Sequence, residues 1–157
     1  VHRFNTGSQF SMSQSKTFTI RMETKDCECD LQGIINNSVY LNYLEHTRHK
    51  FLRHVGLDFG ALHYQGVDAV VHRIKIHYRR SLRGMEEFVS NLQVSRKGKL
   101  QYVFDQSIRR ISDNEEIVTA RTFIAFVSGG RPIKPPAAVE SAVTDWLAVP
   151  SGEPRCM

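Results

Sequence analysis

Cysteine and long apolar runs are both scarce in this sequence. Only three cysteines occur among the 157 residues, at positions 27, 29 and 156, so at least one stays outside any disulfide. We therefore expect reduced thiols and a reducing compartment, either the cytoplasm or an organelle stroma or matrix. No stretch approaches the about 20 apolar residues that a membrane-spanning helix needs, so we expect no membrane span.

The two ends of the chain differ in composition from the segment between them. Acidic residues are missing before Glu23, and residues 1–15 are rich in serine without the apolar segment of a secretory signal. This pattern is typical of a transit-peptide remnant or of a disordered, tag-like N-terminus, and we favour the second. Residues 137–157 follow several prolines, and we expect a C-terminal tail with a short docked helix there. One domain is expected over residues 16–136.

The composition that is present is ordinary for a globular protein, with an excess of positive charge. Hydrophobic residues make up 41% and charged residues 24% of the chain, and the formal net charge is +5. Moderate basicity favours an anionic partner, which includes a nucleic acid, a membrane surface or an anionic small molecule. A nucleic-acid site needs aromatic side chains among its basic ones, and only Tyr78 and Tyr102 qualify. We therefore expect no nucleic-acid partner.

Hydrophobic periodicity changes along the chain from strand to helix and then to four strands. Alternation over 18–22 predicts a strand, and three- and four-residue spacing over 38–55 predicts a helix about 27 Å long. Gly56 is a natural end for that helix. After a predicted loop, alternation returns in four segments: 70–78, 88–94, 100–108 and 117–127. The connections between these strands are short, which predicts antiparallel neighbours and an α+β fold.

A carboxylate and a glycine stand directly before the predicted helix. Asp30 lies three residues before Gly33, and Asn37 follows at the helix start. The first turn of a helix presents N–H groups without internal partners, which suit an oxyanion that develops on a carbonyl. A nearby carboxylate can attack such a carbonyl or activate water. The same pattern also fits a simple helix cap, which is much commoner than an active site.

The run from Asp30 to Glu45, D-x-x-G-x-x-N-N-S-V-Y-L-x-Y-L-E, resembles the hotdog-fold acyl-CoA thioesterases. The resemblance is to the hydroxybenzoyl-CoA thioesterase type, its Tol-Pal-associated bacterial relatives and the plant acyl-lipid thioesterases, and it extends over residues 16–136. It implies a hotdog fold, in which a five-stranded antiparallel sheet wraps one long central helix. It also implies hydrolysis of acyl-CoA or acyl carrier protein thioesters without a cofactor. The implied assembly is a homodimer or homotetramer with a site shared between subunits.

The resemblance assigns roles to three residues of the turn. Asp30 matches the catalytic carboxylate, as nucleophile or general base, and the N–H of Asn37 matches the donor that polarises the thioester carbonyl. Gly33 belongs to the same catalytic turn. Many relatives carry His at the position of Asn37, but either residue supplies the backbone N–H. Relatives commonly have Asp after Gly84, where this chain has Met85.

A second group of predicted site residues is mostly basic. Arg79, Arg80 and Arg83 occupy one turn, and Lys97 lies at a hairpin that we expect to be a neighbour. Guanidinium and ammonium groups bind phosphates well, so we predict that this corner holds the phosphates of coenzyme A. A solvated sheet end without a ligand is the alternative. Tyr40, at the helix start, is also assigned to substrate binding.

The predicted helix carries histidines beside an acid, but the pattern does not predict a metal site. Glu45 and His49 are four residues apart, as helical metal ligands are, but no third ligand is evident. The interleaved Arg48, Lys50 and Arg53 indicate an exposed face. Glu45 is also the alternative catalytic carboxylate, because some hotdog thioesterases use a helical Glu. Its position two turns into the helix favours Asp30 instead.

Two other functions fit the same fold. An acyl hydratase or dehydratase needs a histidine base, and the helix start has none. A non-catalytic acyl-CoA-binding protein would need the same groove, and the sequence does not distinguish it from a hydrolase.

Overall fold

The computed structural model describes residues 16–148, in which it contains six strands and three α-helices. In chain order they are β1 (Phe18–Glu23), α1 (Asn37–His54), α2 (Phe59–Tyr64), β2 (Asp68–Tyr78), β3 (Glu87–Lys97), β4 (Gln101–Arg110), β5 (Glu116–Ser128), β6 (Arg131–Ile133) and α3 (Ala137–Val143). The α+β prediction is confirmed. The segments 1–15 and 149–157, which are the whole predicted tag-like N-terminus and the end of the tail, lie outside the described residues.

The strands form one antiparallel sheet in the order β1-β3-β4-β5-β2, and β6 extends the end of β5. The predicted pairing of the last three long strands is confirmed. The expectation that β2 and β3 are neighbours is wrong, since β2 pairs with β5 and β1 pairs with β3. The short link 79–86 instead crosses the end of the sheet. It is held there by Leu82, whose carbonyl accepts from the Ile35 N–H at 2.8 Å.

Helix α1 lies across one face of this sheet, within one residue of its predicted bounds. Asn36 caps its start by accepting the Ser38 N–H at 3.0 Å, and Gly56, with φ of +81°, follows its end. Its sheet-facing side buries Leu44 and Phe51 completely. Burial of each such side chain stabilises the fold by about 1.5–3 kcal/mol.

Two short helices cover the ends of the sheet face. The loop predicted after α1 is wrong in part, because residues 59–64 form α2, whose first turn is capped by Asp58 accepting the Ala61 N–H at 3.1 Å. Helix α3 buries Val139 and Val143 in the same core as α1. The tail therefore packs on the domain that precedes it.

Strand β2 is the least covered part of the sheet. Ile76, Ile74 and Val71 stand opposite Ala120, Thr122 and Ile124 of β5 and so face the helix side. Val71 is nevertheless 45% exposed and Ile74 and Ile76 are only half-buried, because α1 packs mainly on β3 and β1. An apolar strip is left open along one edge of the sheet.

Candidate active site

A small hairpin before α1 carries Asp30. Its two arms meet at the antiparallel bridge between Cys29 and Ile35, and the Asp30 N–H donates to the Ile34 carbonyl at 2.9 Å. Gly33 closes the turn with φ of +74°, a conformation that glycine adopts without steric cost. The turn is therefore defined by the backbone, and the glycine predicted to belong to the site is the residue that permits it.

The Asp30 side chain is exposed at the tip of this hairpin. Its Oδ1 accepts the Gln32 N–H at 2.8 Å. Within residues 16–148, its carboxylate makes no ion pair and no second hydrogen bond. One oxygen is thus held in place while the other is open to a ligand.

The start of α1 offers one backbone donor. The Asn36 side chain and carbonyl accept from the N–H groups of Ser38 and Val39, at 3.0 and 2.9 Å. The Asn37 N–H has no acceptor anywhere in residues 16–148, and the Asn37 carbonyl accepts from the Tyr78 hydroxyl at 3.2 Å. An unpaired amide at the positive end of an eighteen-residue helix is suited to a developing oxyanion.

Two buried tyrosines tie the hairpin to the helix. The Tyr40 hydroxyl accepts the Leu82 N–H at 2.9 Å, and the Tyr43 hydroxyl donates to Glu28 Oε1 at 2.8 Å. The Glu28 carbonyl in turn accepts the Asn36 N–H at 3.1 Å. Tyr40 is only 2% exposed in the single chain, and its role in substrate binding stays a prediction.

The predicted basic corner exists, but two of its arginines already have partners. Arg79 pairs with Glu116 and Arg80 with Glu115, both at 3.2 Å, and Arg83 makes no ion pair within residues 16–148. Ion pairs this exposed contribute only about 0–1 kcal/mol, so a phosphate can replace either carboxylate at little cost.

Lys97 does not join this corner within one subunit. Strand β3 starts beside the corner and carries Lys97 to the far end of the sheet, about 33 Å from Glu87. Lys97 Nζ lies there 4.7 Å from the centre of the Phe123 ring. The expectation that its hairpin neighbours the three arginines is wrong, because the link 79–86 crosses the opposite end of the sheet.

The expectation of an exposed Arg48 is also wrong. It is not on an exposed face: it is 7% exposed, and its Nη1 donates to Gln106 Oε1 at 3.0 Å. The signal was its spacing, four residues after Leu44 and three before Phe51, which are both buried. Desolvation by burial lowers the pKa of the Arg48 guanidinium.

The acid and histidine of α1 make a weak surface contact. Glu45 Oε1 lies 3.7 Å from His49 Nε2, and both side chains are more than half exposed. Within residues 16–148, no three or more His, Cys, Asp or Glu side chains come together in a way that could hold a metal ion.

Comparison with known proteins identifies the family. Residues 23–147 match the model of the thioesterase-like superfamily. The chain belongs to the thioesterase-like superfamily. No helix in residues 16–148 is both long enough and apolar enough to cross a membrane.

Two chloroplastic acyl-acyl carrier protein thioesterases of Arabidopsis thaliana are among the relatives of this superfamily member. ATL3 is 25% identical over 134 residues, which are 85% of this chain and 70% of ATL3. ATL2 is 28% identical over 123 residues, which are 78% of this chain and 65% of ATL2. The chain thus spans about two thirds of the length of these plant relatives.

Among solved structures, a 1,4-dihydroxy-2-naphthoyl-CoA thioesterase from Synechocystis is similar with a TM-score of 0.78. The sequence identity is 14%, and the match covers 83% of this chain and 97% of the other. At that identity the likeness shows the fold, and the predicted hotdog fold is confirmed.

Proposed function

We propose that this chain is a thioesterase that hydrolyses acyl-CoA thioesters, or acyl carrier protein thioesters, to free acid and thiol without a cofactor. One observation carries the proposal. The hairpin holds an exposed carboxylate, Asp30, and the start of α1 that follows it presents an N–H, that of Asn37, which has no acceptor in residues 16–148. Family membership supports the reaction class.

In the proposed mechanism the thioester carbonyl oxygen accepts the Asn37 N–H. Negative charge that develops on this oxygen is stabilised by the amide and by the helix dipole. Asp30 either attacks the carbonyl carbon, so that the C–S bond breaks and water later hydrolyses the resulting anhydride, or takes a proton from an attacking water. In both routes the thiolate leaves and receives a proton, and the acid is released.

The uncovered edge of the sheet supports assembly with a second copy of the chain. Strand β2 has eleven residues, an unpaired backbone edge and the apolar strip of Val71, Ile74 and Ile76. An uncovered edge of this kind favours pairing with a strand of another chain. We propose a homodimer, or a homotetramer built from it, with the substrate site completed between subunits.

We propose that the nucleotide part of coenzyme A binds at Arg79, Arg80 and Arg83. Arg83 carries this proposal best, since it has no ion pair in the described part of the chain. An acidic carrier protein is the other substrate that a basic corner would accept. The relatives named for acyl carrier protein substrates support testing both. The proposed compartment is the cytoplasm or an organelle stroma or matrix, in keeping with the free thiols of Cys27 and Cys29.

The decisive experiment compares thiol release from a panel of acyl-CoA and acyl carrier protein substrates by the wild type and by Asp30→Asn. We expect hydrolysis by the wild type, a loss of at least about 10³-fold in the variant, and unchanged acyl-CoA binding. Asp145→Asn, which changes an exposed carboxylate far along the chain, is the matched control and should keep full activity.

Two results would contradict the proposal. Thiol release retained by Asp30→Asn would remove Asp30 from the mechanism. Binding of acyl-CoA without hydrolysis of any substrate would favour the acyl-CoA-binding alternative. A hydratase is less compatible, because no histidine of residues 16–148 makes a hydrogen bond with the helix start.

A further inference from the structure

A cavity of about 370 Å³ lies between α1, α2 and β2, away from the Asp30 turn. Leu52, Phe59, Val71 and Ile124 give it apolar walls. Arg48 also lines it and is the one side chain of this lining that is both charged and buried. Glu45, His49 and Asp68 also line the cavity, but their side chains are about half exposed. Apolar walls with a few polar groups are the usual composition of a ligand pocket, and Arg48 is its buried polar group.

The Arg48 guanidinium lacks a charged partner. Within residues 16–148 its one hydrogen bond is to Gln106, and no carboxylate lies within 4.0 Å of it. The two acids that line the cavity have other contacts: Glu45 lies beside His49 at 3.7 Å, and Asp68 beside His63 at 2.6 Å. A guanidinium has five N–H donors, and desolvation without partners is costly, so this group is poised to take a ligand acceptor.

Gln106 fixes the orientation of that guanidinium. Its Oε1 accepts from Arg48, and its Nε2 donates to the Leu44 carbonyl at 3.0 Å, so the amide cannot turn. Thr122, diagonally across from Gln106 on the same face of the sheet, has a fully buried hydroxyl without a hydrogen-bond partner in residues 16–148. Both the Arg48 guanidinium and the Thr122 hydroxyl can therefore form further hydrogen bonds.

Strand β2 runs beside α1 from the proposed reaction centre to this cavity. At one end Tyr78 of β2 contacts Asn37 of α1, and at the other Val71 of β2 shares the cavity with Arg48. Along the axis of α1, Arg48 lies about 16 Å from Asn37. At about 1.2 Å per bond of an extended chain, that distance corresponds to about thirteen bonds.

We propose that Arg48 is a specificity-determining residue that binds a neutral oxygen, a hydroxyl or keto group, near the far end of a medium-length acyl group seated in this cavity. The inference rests on the proposed thioesterase function and deepens it by naming the class of acyl group. A carboxylate at the far end is disfavoured, because Glu45 and Asp68 line the same cavity and would repel it.

The test compares hydrolysis of 12-hydroxydodecanoyl-CoA with that of dodecanoyl-CoA. The wild type should have the higher kcat/KM for the hydroxylated substrate, and Arg48→Met should lower the ratio of the two values by about 10- to 100-fold, the usual effect of losing a hydrogen bond to a charged group. Arg48→Lys should retain part of the preference. Arg53→Met, on the exposed side of the same helix, is the matched control and should leave the ratio unchanged.

A second measurement does not depend on turnover or on a folded Arg48→Met. Calorimetry on the wild type should show tighter binding of 12-hydroxydodecanoate than of dodecanoate or dodecanedioate. Equal binding of the hydroxylated and plain acids, tighter binding of the diacid, an equal loss of kcat/KM for both substrates in Arg48→Met, or dissociation of an oligomer by that substitution would each overturn the proposal. If the wild type binds the hydroxylated acid preferentially but hydrolyses no thioester, the cavity assignment stands and the thioesterase proposal fails.

Discussion

The two ends of α1 are held by different kinds of interaction. At its start, the hairpin that carries Asp30 is fixed by hydrogen bonds and leaves its polar groups exposed. At its other end, the fully buried Phe51 packs edge to face against Phe18 and Trp146, with ring centroids 5.6 and 5.3 Å apart. Substitutions at the start of α1 should therefore reduce activity with little loss of stability, and substitutions at its other end should do the reverse.

After Asp30→Asn, the largest loss of activity is expected from Asn37→Pro. Proline has no N–H, yet it is well tolerated as the first residue of a helix, and the extended backbone of Asn36, with φ of −60° and ψ of 138°, suits a residue that precedes proline. We expect kcat to fall by about 10²–10³, as after loss of an oxyanion donor, with little change in the melting temperature. Thioester hydrolysis and thermal unfolding measure the two quantities.

Asn37→Ala is the control for that substitution. It removes the same side chain but keeps the N–H, and so should retain nearly full activity. Equal losses in the two variants would show that the side chain, and not the amide, matters at the start of α1.

Trp146→Ala tests the other end. The indole packs on Phe51 and lies 5.2 Å below the ammonium group of Lys16, but it touches nothing of the hairpin. We expect a loss of about 2–3 kcal/mol in the free energy of unfolding, less than for a fully buried tryptophan. The kcat at 25 °C should be unchanged. If Trp146→Ala kept its stability and lost kcat, the proposed separation of activity and stability between the two ends of α1 would be wrong.

Gly33→Ala, in the turn before α1, should have a smaller effect on activity. At φ of +74° an alanine is strained, which costs about 1 kcal/mol and shifts the turn that carries Asp30, so we expect a loss of about tenfold in kcat/KM. Gly66→Ala is the control, because Gly66 has φ of +83° and equally open surroundings but lies between α2 and β2. It should lose the same stability, measured by urea unfolding, and keep its activity.

The smallest effect concerns the dependence of stability on pH. Burial, followed by the hydrogen bond to Glu28, raises the pKa of Tyr43 above its usual value. The unfolded tyrosine ionises near pH 10, so the stability that this tyrosine contributes is complete below pH 10 and is lost as pH rises towards the folded pKa. Tyr43→Phe should be less stable than the wild type by about 1 kcal/mol at pH 8, with the gap closing by pH 11. Urea unfolding at each pH measures the difference in unfolding free energy between the two proteins. A difference that stays constant from pH 8 to pH 11 would contradict this prediction.

Local patterns sufficed to predict the parts of the molecule that depend on neighbouring residues. The bounds of α1 follow from its apolar spacing. The turn at Asp30 follows from Gly33 and from the cap residue Asn36, which both precede the helix. Neither the helix nor the turn depends on contacts with distant segments, so residue spacing and residue type were enough to predict both.

The remainder depends on contacts between distant segments. The spacing of Arg48 from Leu44 and Phe51 indicates the buried side of α1, but it does not identify the partner, Gln106, which lies 58 residues away. The pairing of β2 with β5 was equally out of reach, because a link of eight residues between 79 and 86 is long enough either for a hairpin or for a crossing. Lys97 was placed wrongly for the same reason.

The order of the strands also governs how the chain can fold. Phe18 pairs with Leu92, 74 residues later, while β3, β4 and β5 are joined to one another by tight turns. The three consecutive strands can therefore form first, and β1 can take its place only after β3 has been synthesised. Closing so long a loop carries a large entropic penalty, so we expect slow acquisition of the native state, with β1 docking late.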